Sequence, residues 1–277
     1  MKVLSFDIGG TNTRVAKINE NYEIEQVEIA PTPFGDKELF LTNIDHILEK
    51  FDLSDVQAIG CGLPGVVDKE KGIAKSLVNV GIRDVEFSKH FKEKWNLNCF
   101  LRNDAEVACL AEAAIGAGKD FNDVFFITIS TGLGGALCVD KKIQDYVTEV
   151  GHTNYVYQGQ VTEYEPLVSG TGIPKLAKLN GLDVKNAGEF FKLVSSKDEK
   201  ALEVYHEWLR ILSEFIHLMQ NSYEPEIICL TGGVMKAKDV FFEDLKKLNP
   251  ESNLVECKFN QEAGLVGAAI YAFEMLK

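Results

Sequence analysis

The sequence predicts an α/β protein in two halves, and three observations lead there. Apolar runs of strand length alternate with stretches whose apolar residues recur at helical spacing. A strand, a glycine–threonine turn and a second strand stand near the start of the chain and again roughly 120 residues later. No low-complexity segment or obvious linker parts the halves. Taken in order, Lys2 to Asp7 reads as a buried strand ending on a carboxylate, Ile8-Gly9-Gly10-Thr11-Asn12 as a tight turn, and Thr13 to Ile18 as the returning strand. A third strand covers Ile24 to Ile29, and Phe40, Ile44, Ile47, Leu48 and Phe51 fall on one helical face. Val56 to Cys61 is a strand running into Gly62-Leu63-Pro64-Gly65, Cys99 to Leu101 a short strand, and Asp104 opens an alanine-rich helix. The second round starts with a strand over Val124 to Ile129. A turn over Ser130-Thr131-Gly132-Leu133-Gly134-Gly135 and a returning strand over Ala136 to Val139 follow. Val204, Trp208, Ile211, Leu212, Phe215 and Met219 mark one long amphipathic helix. Ile227 to Leu230 is a strand leading into Thr231-Gly232-Gly233, and Ala263 to Leu276 is small and apolar enough to be a packed helix.

Composition narrows the function classes. The 277 residues carry 29 Lys and Arg against 42 Asp and Glu, a net charge of -13. Such a field repels nucleic acid and anionic lipid, although a local basic cleft still holds a nucleotide. Asp7 interrupts the opening apolar run where a secretory signal needs its core, and no apolar run reaches membrane-spanning length, so the expected location is the cytoplasm. Cys61, Cys99, Cys109, Cys138, Cys229 and Cys257 are scattered through apolar runs with no Cys-x-x-Cys pair. They read as small buried hydrophobes, not as a disulfide or metal framework.

Three glycine turns suit a nucleotide. Phosphate oxygens are cradled by backbone N–H groups, which need close approach and permissive dihedrals, and a neighbouring Thr or Ser adds a hydroxyl donor. The Asp7–Asn12 and Ser130–Gly135 segments have that make-up after an apolar strand, yet neither has Walker or dinucleotide-fingerprint spacing. The third, Thr231-Gly232-Gly233, sits between a strand and a helix, where a backbone presses on adenine or ribose. Alone, each reads sooner as a plain turn; three in this order, the first preceded by Asp7, favour a nucleotide.

The ordered series Asp7-x-Gly-Gly-Thr-Asn, Gly62-Leu-Pro-Gly-Val-Val-Asp68, Asn103-Asp104-Ala, Ser130-Thr-Gly-Leu-Gly-Gly, Glu149-Val-Gly-His152 and Thr231-Gly-Gly resembles the motifs of the ROK (repressor, ORF, kinase) sugar kinases, from residue 3 to about residue 272. The resemblance implies a two-domain actin-like ATPase (ribonuclease H-like) fold with a central cleft. Residues 1–106 plus 262–277 would form the smaller domain and 107–261 the larger. It implies ATP held by Asp7, Gly9, Gly10, Thr11, Asn12, Thr131, Gly132, Gly134, Gly232 and Gly233, with Asp7 reaching Mg²⁺ through water. A hexose is expected on Gly65, Asn79, Asn103, Asp104, Glu149, His152 and Glu165, and the protein is expected to be a homo-oligomer, dimer or tetramer. Carboxylates accept paired hydroxyl protons while amide and imidazole groups donate, which suits a pyranose.

Asp104 is the expected catalytic base. Phosphoryl transfer to an alcohol needs screened phosphate charge, an in-line hydroxyl and an acceptor for its proton. Following a strand and opening a helix, Asp104 lies where the helix dipole favours its charged form; a simple N-cap role is compatible. In one respect the chain departs from the family. Many members carry Cys-x-Cys-Gly-x-x-Gly-Cys after the Gly-His and bind zinc there, whereas residues 152 to 165 contain no cysteine, so no structural zinc is expected. The histidine then needs another orienting contact, for which Tyr155, Tyr157 and Tyr164 are the candidates nearest in sequence. The most expected substrate is glucose at its 6-hydroxyl; an N-acetylhexosamine kinase, a fructokinase and a non-catalytic sugar-binding protein are the alternatives.

Overall fold

The computed structural model describes residues 1–147, 149–260 and 262–277. The chain divides into two compact units, Met1–Ala114 with Gln261–Lys277, and Ile115–Asn260. The division falls after Ala114 and not after residue 106, so that all but the last residue of the helix opened by Asp104 lies in the first unit.

The first unit contains β1 (Lys2–Ile8), β2 (Asn12–Asn19), β3 (Ile24–Pro31), α1 (Lys37–Leu48), β4 (Val56–Leu63), β5 (Val66–Asp68), β6 (Ile73–Leu77), β7 (Ile82–Val85), α2 (Phe87–Trp95), β8 (Asn98–Asn103) and α3 (Asp104–Ile115). Its main sheet has the order β3-β2-β1-β4-β8, antiparallel on the hairpin side and parallel from β1 through β4 to β8. Parallel strands buried on both faces require nearly continuous apolar sequence, and Val56–Leu63 supplies it. Phe51, expected on the α1 face, lies past the helix end and is buried from the following turn instead.

The second unit contains β9 (Val124–Ile129), β10 (Leu133–Val139), β11 (Lys142–Ile143), β12 (Asn154–Tyr157), β13 (Gln160–Glu163), α4 (Glu165–Val168), α5 (Gly172–Leu179), α6 (Ala187–Ser195), α7 (Glu199–Tyr223), β14 (Ile227–Thr231), α8 (Lys238–Leu248) and β15 (Leu254–Glu256). Its sheet order β11-β10-β9-β14-β15 reproduces the first sheet strand for strand, with the same switch from antiparallel to parallel. The repeat legible in the sequence is therefore a repeat of topology. All six apolar residues that marked the long helix are buried on α7, and Trp208 donates its indole N–H to the Val168 carbonyl at 3.1 Å.

The last helix, α9 (Ala263–Met275), belongs to the first unit and covers β1 and β4. Its small residues allow backbone-to-backbone contact. A Cβ on Gly267 would stand 1.7 Å from the Val107 carbonyl oxygen of α3, and one on Gly60 of β4 would stand 2.0 Å from that of Ala268. Ser5 donates its hydroxyl to the Leu265 carbonyl inside this contact. Among the described residues no helix is long and apolar enough to cross a membrane.

Candidate active site

In the first unit, the candidate residues gather at the carboxyl ends of three neighbouring parallel strands. Asp7 of β1 is in register with Gly62 of β4, and Leu63 of β4 with Asn103 of β8. This edge is where open α/β sheets bind ligands, because the loops leaving the strands diverge there. Asn103 and Glu106 form a reciprocal cap on α3: the Asn103 side chain accepts from the Ala105 N–H at 2.9 Å, and the Asn103 N–H donates to Glu106 Oε2 at 3.2 Å. Asp104 is thus the first helical residue, and its Oδ1 also accepts from the Ala105 N–H at 2.8 Å. The Asn103 amide reaches across to the Gly65 carbonyl at 3.2 Å. Gly65 has φ +101, and a Cβ there would meet the Ser76 carbonyl oxygen at 2.3 Å, so only glycine serves this turn.

The first glycine turn closes on the Gly9 N–H donating to the Asn12 carbonyl at 2.9 Å, leaving Gly10, Thr11 and Asn12 exposed. Asn79 lies against it, its carbonyl oxygen 2.6 Å from where a Gly10 Cβ would be. The Asp7 carboxylate sits beside Gly264 of α9. Burial pushes the Asp7 carboxyl above its usual range, and Arg14, whose guanidinium is 3.7 Å away, offsets part of that rise. A hard oxygen-seeking dication nearby would complete the compensation, so the donor chemistry fits Mg²⁺ reached through water.

In the second unit, the candidates surround the β9–β10 turn. This turn is shorter than the sequence implied: only Ser130, Thr131 and Gly132 lie between the strands, while Leu133, Gly134 and Gly135 belong to β10. Gly134 pairs with Thr128 in the ladder, so its backbone serves the sheet and not an open turn as expected. Glu165, at the start of α4, accepts the Leu133 N–H on its carboxylate at 2.8 Å and lies within 2.5 Å of where a Gly132 Cβ would be. One bond leaves a carboxylate with further acceptor capacity. Thr171 donates its hydroxyl to the Thr131 carbonyl at 2.7 Å, and the Gly170 N–H donates to that of Ser130 at 2.7 Å. Gly232, at φ +105, has its Cα hydrogen facing Ile129, and a Cβ there would stand 2.3 Å from the Ile129 carbonyl oxygen. Gly233 is exposed next to it.

Glu149 and His152 flank a single 3₁₀ turn, Val150–His152. Glu149 holds a left-handed backbone (φ +51), an uncommon conformation for a residue with a side chain. His152 Nδ1 lies 2.8 Å from Glu163 Oε2, and its Nε2 lies 3.7 Å from Glu149 Oε2. The Glu163 hydrogen bond raises the imidazole above its usual range; burial opposes this, and the charges of Glu163, Glu165 and Glu149 add to it. The tyrosines expected to orient His152 are engaged elsewhere. Tyr155 donates to Glu214 at 2.7 Å, Tyr157 accepts from Asn180 at 2.8 Å, and the buried Tyr164 ring packs on Tyr155 and Phe215 with centroids 4.6 and 5.2 Å away. Glu163 was missed because it is 11 residues from His152; the alternating runs on either side of Gln158-Gly159 were the signal that a hairpin brings it back.

This arrangement of a doubled α/β sheet with glycine turns after the first strand of each half defines an actin-like ATPase fold, and comparison with known proteins narrows it. A sequence model of the ROK family matches residues 3–274. A glucokinase of Halalkalibacterium halodurans is 29% identical over 87% of this chain and 83% of its own length. An N-acetyl-D-glucosamine kinase of Histophilus somni is 26% identical over 95% of this chain and 96% of its own. A solved ROK family glucokinase from Streptomyces griseus, in complex with glucose and AMPPNP, superposes with a TM-score of 0.78 at 22% identity, covering 99% of this chain and 100% of that one. The chain belongs to the ROK family, as a sugar kinase of the two-domain actin-like ATPase fold.

Proposed function

We propose that the protein transfers the γ-phosphoryl group of Mg-ATP to a hexose hydroxyl, foremost the 6-hydroxyl of glucose, with Asp104 as general base. One observation supports this above the others: Asp104 heads α3 directly after β8, at the strand ends that also carry Asp7 and the Gly62–Gly65 turn. Asn103, Gly65, Asn79, Glu149, His152 and Glu165 bind the sugar hydroxyls in this reading. Backbone N–H groups at Gly10 to Asn12 and at Thr131 and Gly132 hold phosphate oxygens, Gly9 shapes the first turn through its bond to Asn12, and Gly232 and Gly233 lie under the nucleoside. Asp7 would hold Mg²⁺ through water, and the ion would supply charge neutralisation at the phosphates. Asp104 accepts the hydroxyl proton as the new O–P bond forms. Its place in the first turn of a helix weakens it as a base, which a loose transition state with late proton transfer tolerates. Orienting the hydroxyl in line is then its larger contribution.

The test is ADP formation in a coupled assay with Mg-ATP and glucose, mannose, fructose, N-acetylglucosamine or N-acetylmannosamine. The expected result is sugar-dependent turnover, fastest with glucose. Turnover with none of these sugars contradicts the kinase reading. Turnover with acetylated sugars and not glucose supports instead the substrate class named for the Histophilus somni relative.

A further inference from the structure

We propose that Glu163 is the positioning residue for His152, fixing the imidazole through Nδ1 so that Nε2 is presented to a sugar hydroxyl. The proposal rests on the reading of His152 as a sugar ligand, and adds to it a residue that no motif marks. The segment that holds the pair is a built device. Gln158 and Gly159, both at positive φ (48° and 77°), make the tight turn that sets the register of β12 and β13. That register places Glu163 opposite Asn154, two residues beyond His152, and the Tyr164 N–H donating to the Thr153 carbonyl at 3.2 Å closes the base. Successive residues on a strand point to opposite faces. Tyr155 and Tyr157 take one face and anchor it to Glu214 and Asn180, while Glu163 lies on the other with Val156 and Val161. The hairpin backbone is thus tethered from behind while the carboxylate reaches the imidazole in front.

Both side chains of the pair are exposed, yet a carboxylate at Nδ1 has a directional effect on the ring. It keeps a proton on that nitrogen, so the ring cannot flip without losing a charge-assisted hydrogen bond, and Nε2 becomes the nitrogen offered to ligand. The groups that face the ring are Glu163 at Nδ1, Glu149 at Nε2 and Glu165 from α4. With three carboxylates around one imidazole, the ring supplies a donor among acceptors, which matches a ligand whose hydroxyls both donate and accept.

The experiment compares wild-type protein with Glu163→Gln, which keeps the shape and removes the charge, and with Glu163→Asp, which keeps the charge and shortens the reach. Thermal midpoints of all three serve as the folding control. The hexose KM is expected to rise on the order of tenfold in Glu163→Gln, with the ATP KM unchanged and kcat within a few-fold. In nitrogen-resolved NMR, His152 of the wild type should carry its neutral-state proton on Nδ1, and its titration midpoint should fall in Glu163→Gln and be largely restored in Glu163→Asp. An unchanged hexose KM in Glu163→Gln, or equal rises in the hexose and ATP KM values, overturns the proposal. An identical His152 titration in both proteins does so as well. Should the wild type phosphorylate no hexose, the kinase reading fails by itself, and the NMR comparison still decides whether Glu163 governs the imidazole.

Discussion

Asp104 and its neighbours divide their labour. The Ala105 N–H is shared by the Asn103 and Asp104 side chains, and Glu106 takes the Asn103 N–H, so the start of α3 is not capped by Asp104 alone. The sequence allowed both cap and base for Asp104, since both place an acid at a strand–helix junction. The bond from the Ala105 N–H shows Asp104 contributing to the cap, and its service as a base is a matter for kinetics. The glycines were easier to read, because a residue type with special dihedrals announces its conformation. Gly232 shows the cost of changing one: alanine there would keep φ +105 under strain and press its methyl on the Ile129 carbonyl 2.3 Å away. Gly232→Ala should destabilise the second unit by about 2–4 kcal/mol, combining backbone strain with displacement of β9. Urea denaturation of the variant measures this, and a loss under about 0.5 kcal/mol would contradict the stated contact. His152 marks the opposite limit: its own motif was visible, but its partner lies across a hairpin, and proximity in sequence pointed to tyrosines that face away.

At the scale of elements, strong periodicity decided what was legible. β9, β10 and β14 come from largely apolar runs, β1 and β2 from apolar stretches interrupted by charged residues, and α7 from six apolar residues at helical spacing. The small sheet β5-β6-β7 went unread because strands of three to five residues carry too little alternation to stand out. Contacts between elements were also invisible, and Asp45 is the clearest of them. This buried acid of α1 accepts from Lys94 at 2.7 Å, Trp95 at 2.8 Å and His90 at 2.9 Å, all on α2. Burial raises its carboxyl, but the Lys94, Trp95 and His90 hydrogen bonds outweigh that and hold it below the usual range. A depressed folded value contributes stability that is present above the unfolded value, about 3.9, and is lost as pH falls through the folded one. Asp45→Ala should therefore cost about 2–4 kcal/mol near neutral pH, less than a fully buried pair because Lys94 is half exposed and rehydrates. The gap between wild type and variant should narrow as acid denaturation is followed downward from about pH 5. A gap that stays constant into strong acid would show that charge is not what Asp45 contributes.

For the whole molecule, the doubled sheet was foreshadowed by the two strand–turn–strand units, since one plan folded twice repeats its turn chemistry even where side chains have diverged. The strand order, the return of the C-terminal helix to the first unit and the close glycine contacts that seat it required coordinates. The net charge of -13 leaves binding of a polyphosphate to local devices, which is why the backbone turns and the cation expected at Asp7 matter more here than any basic patch. A single proton acceptor carries the proposed chemistry, and Asp104→Asn separates that chemistry from binding most directly. Turnover is followed by ADP release while hexose affinity is measured by calorimetry on the same preparation. Acid–base and orienting roles together predict a fall in kcat of about 10²–10⁴-fold with hexose affinity changed by less than about tenfold. A variant that keeps kcat within a few-fold of wild type would contradict the assignment of the base.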